Sequence, residues 1–166
     1  MTVADSRSAE LARTAIGLLI ARGETIATAE SLTGGLVAAT LSSVPGASAA
    51  LRGGVVAYAT ELKASLLDVS PELLERQGAV DGEVAAAMAE GARARLGAST
   101  GVATTGVAGP DPAEGKPVGM VFVAVAGSGG VAGRQLSLTG DRAAIRAATV
   151  EGALDLLVSA IREDVV

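Results

Sequence analysis

Ala29-Glu30-Ser31-Leu32-Thr33-Gly34-Gly35 lies between two apolar segments of different character. Before it, Thr25-Ile26-Ala27-Thr28-Ala29 has the β-branched content and length of a buried strand. After it, Leu36-Val37-Ala38-Ala39-Thr40-Leu41 carries apolar residues at helical spacing. The stretch therefore reads as strand, tight turn and helix, with a serine held at the turn. Two glycines let the backbone reverse sharply and let a ligand come close to the amides. Free N–H groups at a helix start also attract anions and developing negative charge. The plainer reading is a cap: Ser31 or Thr33 caps the helix from about Thr33 to Ser42, and the glycines only turn the chain.

Working outward, Ser8 to Arg22 reads as an amphipathic helix with Leu11, Ala15, Leu18 and Leu19 on one side, ended by Gly23. Gly53 to Ala59 reads as a second strand, and Thr60 as the cap of a short helix carrying Lys63, Leu66 and Leu67. Ser70-Pro71 and Asp81 signal two further helix starts, closed near Gly78 and Gly97. Thr100 to Thr105 is a third strand, running into a loop from Gly106 to Pro117 too rich in glycine and proline for regular structure. Val118 to Ala126 and Val131 to Leu138 form a hairpin around Gly127-Ser128-Gly129-Gly130. A last helix begins at Thr139-Gly140-Asp141. Strands alternating with helices predict a three-layer α/β/α domain with a mixed, mostly parallel sheet, and one domain over residues 1–166.

Composition narrows the function. The chain has 166 residues, 49% hydrophobic and 19% charged, which fits one globular domain. No apolar run reaches the length of a membrane span, and Met1 to Arg13 lacks the features of a signal peptide. Cysteine is absent, which excludes disulfide and thiolate chemistry and is compatible with a cytoplasmic setting. Histidine is absent too, so histidine triads and histidine-ligated metals are excluded. Net charge is −5 with scattered cations, one Tyr and one Phe, which argues against nucleic acid as a partner. Glu30, Asp111 and Glu114 could contribute carboxylates to a metal, but no ligand spacing stands out, and no cofactor is expected.

Ligands of open α/β sheets collect at the carboxyl ends of strands. Ser31, the pair Tyr58 and Lys63, and the Gly106–Pro117 loop all fall at such ends. A serine needs a neighbour to take its proton, and a buried lysine serves when its pKa is brought down. Only two lysines occur, and Lys116 lies in the proline-rich loop, so Lys63 is the better-placed base. Exposure is nonetheless the usual state of a lysine, and a wet hydroxyl is the usual state of a strand-end tyrosine. Arg142 and Arg146, one turn apart at the last helix start, could hold a phosphate or form a solvated basic face.

Six ordered blocks carry a family resemblance: Ala29 to Gly35, Gly54-Val55-Val56-Ala57-Tyr58 with Lys63, Gly78-Ala79-Val80, Thr105-Gly106-Val107-Ala108-Gly109-Pro110, Lys116-Pro117-Val118-Gly119 and Gly140-Asp141-Arg142. From about Ile26 to the last helix the chain resembles the CinA C-terminal domain family, whose characterised members are nicotinamide-nucleotide amidases. The resemblance implies deamidation of nicotinamide mononucleotide to nicotinate mononucleotide and ammonia, in pyridine nucleotide recycling. It implies Ser31 as nucleophile, with Lys63 and Tyr58 handling protons. Thr33, Gly34, Gly35, Thr105, Gly106 and Arg142 are the expected substrate-binding positions. Leu32 stands where many relatives have Cys, and Asp81 where many have Ser; neither position needs to react. The chain is too short for the molybdopterin-binding-like domain that precedes this one in full-length CinA proteins, so that domain's activities are not transferred. A homo-oligomer, a dimer by preference, is the expected assembly. The rival readings are a nucleotide- or phosphate-binding module without turnover and an amidase for a different carboxamide.

Overall fold

The structure, a computed structural model, describes residues 6–166. The reading of Met1 to Arg13 as lacking a leader falls in part outside them. Among the described residues the elements run α1 (Arg7–Arg22), β1 (Ile26–Glu30), α2 (Leu36–Ser42), a 3-10 turn (Ala47–Ala49), β2 (Leu51–Val56), α3 (Thr60–Leu67), α4 (Pro71–Gln77), α5 (Gly82–Arg95), β3 (Thr100–Gly106), β4 (Met120–Gly127), β5 (Gly130–Ser137) and α6 (Arg142–Arg162). None of these helices is long and apolar enough to cross a membrane.

The sheet order is β2-β1-β3-β4-β5. β1 pairs in parallel with β2 and β3, whereas β4 is antiparallel to both β3 and β5. Every strand except β4 therefore runs the same way, which is the mixed, mostly parallel sheet expected from the alternation of strands and helices. Because three parallel strands lie side by side, the carboxyl ends of β1, β2 and β3 open on one edge. β2 begins at Leu51, earlier than its glycine pair indicates, and stops at Val56, which leaves Tyr58 in the connection to α3.

Successive residues of a strand point to opposite faces, and the sequence uses this to build two unlike layers. Ile26, Val102, Val121, Val123 and Val125 pack beneath α1 and α6 with Leu19, Leu154, Leu157 and Ile161. Each such side chain, fully buried, stabilises by about 1.5–3 kcal/mol. The intervening residues Ala27, Ala29, Ala103, Ala124 and Ala126 face the other way, against Val84, Ala85, Met88 and Ala89 of α5. A surface paved with methyl groups lets α5 sit close to the sheet, and α3 packs against α5 in turn. Lys63 is thereby carried under the end of β1.

The capping signals hold for Ser70, whose hydroxyl accepts the Leu73 N–H, and for Asp81 and Asp141, which accept N–H groups of the first turns of α5 and α6. Thr60 does not cap α3: Ala59 occupies that position and Thr60 is the first helical residue. α1 begins one residue before the expected Ser8 and is capped by Ser6.

Candidate active site

Ser31 follows the last residue of β1, and its N–H extends the pairing with β3 by donating to Thr104 O at 3.0 Å. The chain then turns at once: Gly34 N–H donates to Ser31 O at 3.0 Å, and Leu36 N–H to Thr33 O at 3.1 Å. Gly34 and Gly35 have φ of 58° and 105°, a region that favours glycine, so the turn depends on the pair. Helix α2 starts only at Leu36, and neither Ser31 nor Thr33 caps it. The cap is Glu30. Its Oε1 accepts the Val37 N–H at 2.8 Å and its Oε2 the Ala38 N–H at 3.0 Å. The Thr33 hydroxyl donates to Glu30 Oε1 at 2.6 Å and shares a 2.8 Å hydrogen bond with the hydroxyl of Thr104. The free helix start foreseen as an anion site is therefore occupied by the chain's own buried carboxylate. From the far side Arg146 Nε donates to Leu32 O at 2.9 Å and Nη2 to Thr33 O at 3.2 Å. Arg146 is thus a half-buried brace on the serine turn rather than part of a solvated basic face.

Lys63 is completely buried, which reverses the usual fate of a lysine. Its Nζ donates to Ala57 O at 2.7 Å and to Ser31 Oγ at 3.1 Å. Burial holds its pKa below the ordinary lysine value, an effect that the nearby charges of Glu114 and Glu61 oppose. A desolvated amine beside a hydroxyl, with its remaining bond fixed by a carbonyl, is poised to exchange a proton with that hydroxyl.

The two residues open onto a cavity of about 230 Å³ that Tyr58, Thr105, Gly106 and Arg142 also line. The structure thus brings together six of the nine positions expected from sequence. Thr33, Gly34 and Gly35 are not in the cavity wall; the Thr33 side chain faces Glu30 and Thr104 instead. The Thr105 hydroxyl donates to Ala79 O at 2.7 Å and so fixes the wall opposite. Tyr58 is 56% exposed at the rim, and its hydroxyl accepts from Arg142 Nη2 at 2.7 Å. Arg142 Nη1 donates to Gly109 O at 2.7 Å, which ties the end of β2 to the Gly106–Pro117 loop. Tyr58 makes no hydrogen bond with Ser31 or Lys63 among those of the described residues, so the line between serine and lysine is direct.

Sequence reasoning missed Glu30 and Glu114, weighed only as weak metal candidates, and treated Lys116 only as an alternative base. A signal existed for Glu30. A carboxylate ending an apolar strand needs donors nearby, and the closest unpaired amides are those of the next helix start. Among the described residues no group of three or more Asp, Glu, His or Cys side chains is placed to hold a metal ion.

Comparison with known proteins shows the family to which the chain belongs. A CinA-like protein of Frankia casuarinae is 57% identical over 142 residues, which cover 86% of this chain and 33% of that protein. A putative competence-damage inducible protein of Desulforamulus reducens is 52% identical over 139 residues, 84% of this chain and 34% of its own length. The chain thus spans about a third of the curated relatives it matches. The crystal structure of the competence/damage inducible protein CihA from Agrobacterium tumefaciens superposes with a TM-score of 0.91 at 38% identity, covering 96% of this chain and 98% of that one. A CinA superfamily protein of Klebsiella pneumoniae gives 0.90 at 34% identity, covering 94% and 98%. The sequence model of the CinA C-terminal domain matches residues 8–161, from the first helix through the last, so the serine turn, the buried lysine and the loop that faces them all lie in the matched region. The chain belongs to the CinA C-terminal domain family.

Proposed function

We propose that this domain is an amidohydrolase that deamidates nicotinamide mononucleotide, with Ser31 as nucleophile and Lys63 as base. The supporting observation is the 3.1 Å contact between Lys63 Nζ and Ser31 Oγ, made by a lysine with no exposed surface. A solvated lysine is protonated at neutral pH and is a poor base; burial that lowers its pKa moves Lys63 toward the form that can accept a proton.

In this reading Ser31 Oγ attacks the carboxamide carbon while its proton passes to the lone pair of Lys63 Nζ. The oxyanion of the tetrahedral intermediate needs donors. Gly34 N–H is taken by Ser31 O, Leu36 N–H by Thr33 O, and the Val37 and Ala38 N–H groups by Glu30, while Gly35 does not line the cavity, so this reading looks elsewhere for the donor. Leu32 lines the cavity next to the nucleophile, and its amide is the donor this reading assigns. The Lys63 ammonium then gives its proton to the departing nitrogen, the C–N bond breaks, ammonia leaves and an acyl ester remains on Ser31. Water adds to that ester, Lys63 takes the water's proton and returns it to Ser31 Oγ, and the carboxylate is released. Tyr58 and Arg142 at the rim bind the remainder of the nucleotide, at a distance from the reacting carbon.

The test is ammonia release from nicotinamide mononucleotide by the purified protein, with nicotinate mononucleotide identified as co-product. Binding without ammonia would favour the non-catalytic module. Turnover of free nicotinamide or of the dinucleotide in preference to the mononucleotide would point to a different carboxamide.

A further inference from the structure

Gly78-Ala79-Val80 joins α4 to α5 and belongs to neither, yet Ala79 and Val80 wall the cavity that holds Ser31 and Lys63. Side chains from elsewhere satisfy its backbone. Glu114 Oε1 accepts the Ala79 N–H at 3.0 Å, and Oε2 accepts the Val80 N–H at 3.2 Å. Lys116 Nζ donates to Gln77 O at 2.8 Å and also to Val80 O. Both side chains rise from one tight turn, closed by an antiparallel bridge between Ala113 and Lys116, with Nζ 3.9 Å from Glu114 Oε2. Glu114 has a φ of 55°, disfavoured for any residue bearing a Cβ. A Cβ on Gly78 would stand 2.5 Å from Glu114 Oε2 and Gly78 has a φ of 78°, so another residue there would be strained and would push the carboxylate from its present seat. The loop that looks too irregular for structure is therefore fastened by two opposite charges to the wall of the site.

We propose that Glu114 is a positioning residue for Lys63: it clamps the Ala79–Val80 wall and holds a negative charge near the buried amine, which Lys116 partly offsets. This rests on the reading of Lys63 as the base. The charges facing Lys63 come from several elements. Glu61 lies on its own helix α3, and Glu114 with its partner Lys116 lies on the loop. Tyr58, tied to Arg142, follows β2, and Ser31 follows β1. Of the two acidic residues that favour the ammonium form of Lys63, Glu114 has the larger effect. Removing its charge makes Lys63 give up its proton at lower pH. Removing Lys116 leaves Glu114 unopposed and moves Lys63 the other way. A clamp with no electrostatic role predicts that both variants loosen the same wall without opposed titration shifts.

Because the chain has only two lysines, labelling lysine with carbon-13 at Cε gives two resonances, and Lys116→Met leaves Lys63 alone. The intact protein is titrated as wild type, Glu114→Gln, Glu114→Asp and Lys116→Met. The Lys63 midpoint falls in Glu114→Gln, rises in Lys116→Met and stays near wild type in Glu114→Asp. The acid limb of kcat/KM for the mononucleotide moves in the same directions. Glu114→Gln, which keeps one acceptor for two N–H groups, also loses roughly tenfold at the plateau. A Lys63 midpoint that is unmoved, or that shifts the same way in Glu114→Gln and Lys116→Met, overturns the proposal. Should Glu114→Gln fail to fold, Lys116→Met decides alone, by a rise or by none. A wild type that releases no ammonia defeats the amidase reading, while the resonance titration still decides the role of Glu114.

Discussion

Glu30 accepts the hydroxyl of Thr33 at 2.6 Å with the same carboxylate that caps α2, so the two residues flanking Ser31-Leu32 are locked together beneath the turn. Ser31 contributes only its backbone groups to this frame, and its hydroxyl stays available for Lys63. A carboxylate that is almost fully buried would be costly without partners. Here two helix amides, a hydroxyl and the positive end of a short helix offset that cost.

Glu30→Ala should therefore destabilise the domain by about 2–4 kcal/mol, since it leaves the Val37 and Ala38 N–H groups and the Thr33 hydroxyl without their acceptor. Glu30→Gln, which keeps one acceptor oxygen, should cost about half as much. Urea denaturation measures both. An alanine variant with the wild-type midpoint would mean that the frame does not depend on this carboxylate.

Ser31→Ala should lower kcat by at least about a thousandfold, and Lys63→Ala should be nearly as severe. The double variant should be no worse than either alone, because residues acting as one unit lose activity together. Single-turnover assays of the three proteins test this. If the effects instead multiply, the two residues act independently, and the direct proton line between them is wrong.

Much of the fold was legible because its determinants are local. The β-branched run before Ser31, the Gly127-Ser128-Gly129-Gly130 hairpin signal and the caps Ser70, Asp81 and Asp141 each act within a few residues; the caps stand where sequence places them, and the hairpin forms there with Gly127 and Gly130 drawn into the strands. Ser31 and Lys63 were recoverable as a pair, since both follow strand ends that a parallel sheet must bring to one edge. What escaped depends on distant partners. Arg146 meets Leu32 and Thr33 across more than a hundred residues. Glu114 meets Ala79 and Val80 across more than thirty, from a turn without periodicity. The carbonyls and amides they satisfy have no sequence signature, because every residue carries them.

Lys63 also makes stability depend on pH. Burial lowers its pKa in the folded state, whereas in the unfolded chain it titrates near 10.4. Between those values the unfolded chain binds more protons, so stability rises with pH across the window and the contribution is lost as pH falls through the folded pKa. Lys63→Met removes this dependence. The difference in unfolding free energy between wild type and Lys63→Met should thus shift toward wild type as pH increases through the alkaline range. Denaturation curves that stay parallel at every pH would show that the fold does not lower the Lys63 pKa.

Under the proposed function, Arg142 is the residue expected to tell a mononucleotide from its riboside. The phosphate of such a substrate lies at the end remote from the amide, so it needs cations away from Ser31, in a chain whose net charge is −5. Arg146 is committed to the carbonyls of Leu32 and Thr33, which leaves Arg142 as the arginine in the cavity wall. Its guanidinium rests on Tyr58 and Gly109 O at an exposed rim, where partners exchange at little cost, and it sits at the first position of α6. A phosphate there would meet both a forked donor and the positive end of the helix. Arg142→Ala should raise KM for the mononucleotide by roughly ten- to a hundredfold, as expected for the loss of charged hydrogen bonds. Because the same arginine steadies Tyr58, a modest fall in kcat should accompany it. Nicotinamide riboside separates the two roles: it should be a poor substrate of wild type, and Arg142→Ala should change its KM little. Equal KM penalties for riboside and mononucleotide would show that Arg142 only braces Tyr58 and the loop, and that the phosphate is bound elsewhere.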